Sequence, residues 1–168
     1  MKLHGDITIN GTKYAKGSDA PGYFIYPFFL FHMLIFGASG FVMAYAPAKP
    51  DPWFLYTHGG FAIIVYLWLY RTIFGVDEVK WMLINGALGV LGIYSQVGWL
   101  LSVFGKNIKD VPLYIHVIPF LYFVLYTFLI RHAFLDLLKA REDKGRVKFA
   151  NATYVLVSIA VNLAFFFL

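Results

Sequence analysis

Five long apolar stretches, parted by short polar breaks, decide what this chain can fold into. They cover residues 22–46, 54–74, 81–104, 111–138 and 152–168. About 20 consecutive apolar residues match the thickness of a bilayer's hydrocarbon core. In that medium every backbone N–H and C=O must be satisfied internally, which leaves the helix as the spanning form for such runs. The expectation is an all-α integral membrane protein, a bundle of five transmembrane helices: a four-helix core plus a C-terminal helix. The last stretch is the shortest. Residues 1–21 form a polar N-terminal tail, and residues 22–168 form the bundle. The tail has no apolar core of its own, so no cleavable signal peptide is expected.

The breaks carry their own signals. Pro47-Ala48-Lys49-Pro50-Asp51-Pro52 holds three prolines and cannot continue a helix. Gly75-Val76-Asp77-Glu78, Gly105-Lys106-Asn107 and the charged stretch 139–148 part the remaining spans. In the tail, Asn10-Gly11 stands between Ile7-Thr8-Ile9 and Thr12-Lys13-Tyr14, the pattern of a tight hairpin.

Charge sets an orientation. Lys2, Lys13, Lys16, Arg71, Lys80, Arg131, Lys139, Arg141, Lys144, Arg146 and Lys148 fall on one side, against Lys49, Lys106 and Lys109 on the other. The positive-inside rule then places the N-terminus in the cytoplasm and the C-terminus outside, as in a bacterial inner membrane. Trp53 and Trp99 fall near the outer interface and Trp81 near the inner one, as interfacial anchors do. Asn10-Gly11-Thr12 and Asn151-Ala152-Thr153 match the glycosylation pattern, but both are cytoplasmic in this orientation and carry no meaning. The basic stretch 139–148 serves the same rule and also suits anionic lipid.

With no cysteine, disulfides, Cys-ligated clusters and covalently attached haem are excluded. The candidate chemistry rests on histidine. His32, His58, His116 and His132 lie within or at the ends of the spans, where an ionisable side chain needs a functional reason or a partner. Oriented in a bilayer they pair by depth: His58 with His116 in the outer half, and His32 with His132 in the inner half. Two imidazoles at one level on separate helices suit a haem iron. No carboxylate lies deep in the spans to complete a non-haem metal site.

Local sequence points the same way. His32-Met33-Leu34-Ile35-Phe36-Gly37-Ala38-Ser39-Gly40-Phe41 resembles the first helix of the di-haem cytochrome b subunits of formate dehydrogenases and NiFe hydrogenases. His58-Gly59-Gly60, followed by Tyr70-Arg71 and Gly75, is similar to that family's second helix. His116 and His132 on one helix are similar to its double-ligand helix. The resemblance covers roughly 75 residues and rests on spacing. It implies an outer haem b on His58 and His116 and an inner one on His32 and His132, with a quinone as a further ligand. His116 and His132 stand 16 positions apart, about 160° round an ideal helix, and Pro119 lies between them. Arg71 and Arg131, near the inner face, are candidates for neutralising carboxylates.

Span 3 carries Gly86, Gly89 and Gly92, which let a neighbouring helix or a flat ligand approach closely. Asn85, Gln96 and Asn162 can bond across helices or to a quinone carbonyl. Two functions follow. One is a b-type haem subunit moving electrons between a partner redox protein and the quinone pool. The other is a haem-free structural or assembly subunit of a larger membrane complex. A transporter is disfavoured, because no repeat, broken-helix pair or mid-membrane carboxylate is present. The expected partners are other subunits and the lipid bilayer, and no nucleic acid.

Overall fold

The structure, a computed structural model, describes the chain apart from Met1, Asn10, Pro21, Ala48 and the side chains of Tyr23 and Phe24. Five helical spans are long and apolar enough to cross a membrane, and the chain is an all-α membrane bundle. Helix α1 runs Gly22–Tyr45 and α2 runs Pro52–Phe74. The third span is composite: short α3 (Val76–Val79), α4 (Trp81–Gly92), a π-helical turn (Ile93–Val97) and α5 (Gly98–Val103). Helix α6 is Leu113–Leu137 and α7 is Lys144–Phe166. We call the end bearing the N-terminal tail the tail side, and the opposite end the far side.

The helix ends follow local chemistry. Asp51 caps α2, accepting from the backbone N–H groups of Trp53 (3.0 Å) and Phe54 (3.2 Å), and Pro52 supplies a preset first turn. Asp51→Ala is expected to lower stability by about 1 kcal/mol. A thermal melt in detergent reads this, with Asp51→Ser retaining most of the wild-type midpoint. Helix α7 begins at Lys144, within the charged stretch that the sequence assigns to a loop. Asp143 accounts for the early start by accepting from Gly145 N–H (2.6 Å) and Arg146 N–H (2.9 Å). The N–H groups of Arg146 and Gly145 hold its carboxyl below the usual range. The cap therefore stays intact through the usual carboxylate range and is lost only as pH falls through the depressed value below it.

The bundle is built round α6, whose Ile115, Ile118, Phe128 and Leu129 are completely or almost completely buried. Small residues bring its neighbours close. A Cβ at Gly40 of α1 would lie 3.2 Å from the Tyr122 ring. One at Gly59 of α2 would lie 2.5 Å from Ile118 Cγ2, and one at Gly92 would lie 2.6 Å from the Phe123 ring. Gly89 likewise faces Phe120 and Phe123, so the glycine series of span 3 is a seat for α6 aromatics. Pro119 leaves α6 a single continuous helix.

Helix α7 is attached by polar bonds. Asn162 Oδ1 accepts from Gln96 Nε2 (2.7 Å) and Ser95 Oγ (3.1 Å), and the Tyr154 hydroxyl donates to Asn85 Oδ1 (3.1 Å). The π-helical turn contains both Ser95 and Gln96 and aims them at α7. The asparagines and the glutamine thus serve as glue between spans 3 and 5.

On the tail side, strands β1 (Ile7–Ile9) and β2 (Thr12–Tyr14) pair antiparallel, with Ile9 opposite Thr12. Asn10, half of the expected turn and the first glycosylation motif, lies outside the described residues. The tail is docked: Leu3 is buried, and the His4 N–H bonds the Thr72 carbonyl at 3.1 Å.

Candidate functional site

Depth pairs the histidines one way, and their direction round each helix pairs them another. Successive helical residues point about 100° apart. Gly59 of α2 abuts Ile118 of α6, which turns the adjacent His58 away from α6 and toward α1. His58 and His32 line the same open-sided groove between α1 and α2, about 580 Å³ in volume. His116 and His132 point from α6 into the interior of the bundle, where each has partners of its own.

The His116 ring is buried, with Nδ1 2.8 Å from the Tyr45 hydroxyl at the end of α1. Lys106 ties down the same corner by bonding the carbonyls of Tyr45 and Ala46. With α2 and α6 in direct contact at Gly59–Ile118, no space for a porphyrin separates His58 from His116.

His132 is fully buried in an ionic cluster. Arg141 Nη2 donates to its Nδ1 at 2.7 Å, which fixes the proton on Nε2, 3.5 Å from Glu78 Oε2. Both ring nitrogens are thereby occupied, and Phe74 and Phe128 cover the ring with centroids at 4.2 and 4.4 Å. Arg131, 1% exposed, donates to Glu78 Oε2 and to Asn151 Oδ1, both at 2.8 Å, and lies 3.9 Å over the Trp81 ring. Arg141 continues the cluster to Asp136, which also accepts from the Tyr26 hydroxyl. Arg131 is therefore committed to the protein itself. Arg71 is exposed in the last turn of α2, where a cation suits the helix dipole.

The groove residues differ in kind. His32 Nδ1 lies 2.9 Å from the Phe28 carbonyl, one turn back. A carbonyl only accepts, so Nδ1 carries the proton and Nε2 keeps its lone pair, the tautomer of a metal-ligating imidazole. The exposed His58 stacks on Phe54 with centroids 5.7 Å apart and has no hydrogen bond among the described residues. Phe28, Phe29, Phe36, Phe61 and Tyr66 complete the walls. A recess of about 910 Å³ under the hairpin shares Phe28, Phe29 and Leu69 with this groove and carries it on to the tail side, where Lys13 lines it.

A b-type haem demands two available imidazoles and an apolar, ring-compatible wall. His58 with His116 and His32 with His132 are not brought together; His32 and His58 share one groove, His58 packing on Phe36 and His32 on Phe28 two turns away along α1. Among the described residues no three His, Asp or Glu side chains converge on a metal site. The chain matches no family model, no curated protein and no solved structure.

Proposed function

We propose that this integral membrane protein is the electron-transfer subunit of an oxidoreductase complex, with a single b-type haem held by His32 and His58 in the α1–α2 groove. One observation carries the reading. His58 stands exposed on a membrane-spanning helix without a hydrogen bond among the described residues, in the same groove as a second imidazole whose Nε2 has none either. A bare imidazole facing lipid is costly, so the groove calls for an occupant. Two imidazoles and a lining of aromatic rings favour a flat, iron-bearing one. Bound there, haem would supply one-electron chemistry between a partner redox protein and the quinone pool. The protein's part is to hold the His32 tautomer through the Phe28 carbonyl and to exclude water with the surrounding phenylalanines. The basic tail side faces the cytoplasm of a bacterial inner membrane in this reading.

The purified protein is expected to show the sharp absorbance of a reduced low-spin haem. His32→Ala and His58→Ala should each abolish or convert that one signal, while His116→Ala and His132→Ala leave its ligation intact. Absence of haem in the wild type would overturn the reading in favour of a haem-free structural or assembly subunit. Loss of the signal only on replacing His116 or His132 would overturn the ligand assignment.

A further inference from the structure

Beside the ionic cluster, on the tail side, a cavity of about 690 Å³ lies between the start of α1, the ends of α2 and α6, and the N-terminal tail. Ile73 and Phe74 give it an apolar wall, and charged side chains line much of the rest. Some of those charges are committed within the chain. Asp136 is bonded to Arg141 and to the Tyr26 hydroxyl, Arg141 also holds His132, and Asp19 has contacts of its own. Three are not. The side chains of Lys2, Lys139 and Glu142 have no hydrogen bond or ion pair among the described residues.

Lys139 is unusual in its backbone as well. It follows the end of α6 in the left-handed conformation, φ 49° and ψ 36°, and is the one non-glycine residue with positive φ among those described. Glycine is the usual residue at that point of a helix end, because a Cβ is strained there. A lysine held there at a cost in stability points to a use for its charge.

The level of the cavity and its free charges say what the use is. The ends of α2 and α6 lie where the hydrocarbon core gives way to phospholipid headgroups. A purely anionic headgroup would meet Glu142, and a purely cationic one would meet the two lysines. We infer that the cavity holds the headgroup of a zwitterionic phospholipid, its phosphate paired with Lys139 and Lys2 and its ammonium with Glu142. The site is separate from the α1–α2 groove and does not depend on the haem reading.

The test titrates the purified, delipidated protein with phosphatidylethanolamine and phosphatidylglycerol of equal chain length, read by native mass spectrometry. The ethanolamine lipid is expected to bind about threefold more tightly, the worth of one exposed ion pair. Glu142→Gln should erase that preference. Lys139→Gly should weaken binding of both lipids while raising the thermal midpoint of the delipidated protein, because it relieves the left-handed strain. Glycerophosphoethanolamine, the same headgroup without acyl chains, should not bind at the lipid concentrations used. Equal binding of the two lipids by the wild type, or a preference that survives Glu142→Gln, would overturn the inference. So would undiminished binding or a lower midpoint in Lys139→Gly, and so would binding of the chain-free headgroup as tightly as the lipid.

Discussion

Arg131→Ala is expected to lower stability by about 3 kcal/mol, the range for breaking a buried ion pair by removing one partner. The guanidinium joins three parts of the chain at once: Glu78 of α3, the Trp81 ring at the start of α4, and Asn151 of α7. Truncation strands Glu78 and leaves a void beside His132. Arg131→Lys keeps the charge but loses the planar fork that bonds Glu78 and Asn151 together, so an intermediate loss is expected. Glu78→Gln should also destabilise strongly, because it leaves the charge of a side chain only 1% exposed without its counter-ion. Thermal melts of the four proteins in one detergent give the ranking. A loss below about 1 kcal/mol for Arg131→Ala would show that the cluster does not hold the tail side together.

The second large effect sets two adjacent glycines against each other. Gly59→Val is expected to cost about 1–3 kcal/mol, because its Cβ would meet Ile118 Cγ2 at 2.5 Å and push α2 away from α6. Gly60 has nothing within 4 Å of the equivalent position, so Gly60→Ala should be neutral or slightly stabilising in the helix. Adding Ile118→Ala to Gly59→Val should recover part of the loss, a coupling that a double-mutant cycle measures. Equal effects at Gly59 and Gly60 would show that α2 and α6 are not in contact there.

That pair also explains what the sequence could and could not disclose. Apolar runs of bilayer length left little freedom in the number or type of spans, and the prolines at 47, 50 and 52 marked the first break. Depth could be counted from span ends, and it drew His58 toward His116. Azimuth could not, because all five helices are apolar nearly all round and no polar face shows which side looks inward. Only the contact of Gly59 with Ile118 turns His58 toward α1 and His32. The burial of His132 was equally hidden, since its partners Glu78 and Arg141 come from segments that read as loops. The start of α7 was missed for a related reason: Lys144, Arg146 and Lys148 read as a polar break, whereas Asp143 makes them the first turns of a helix. The glycines of span 3 and the amides of Asn85, Gln96 and Asn162 fared better, because close helix packing is the commonest use of such residues in a membrane.

The docking of the tail has a consequence for how the protein is made. Leu3 and His4 are synthesised before α1, yet their seat at Thr72 exists only once α2 has been synthesised. Span 4, which fills the space between α1 and α2, follows later still. During that interval the α1–α2 pair sits in the bilayer without its central helix, and the tail, bonded to the end of α2, is a latch joining the two ends of the unfinished hairpin. Order of synthesis thereby assigns the docked segment at Leu3 and His4 a task in assembly that ends when α6 arrives.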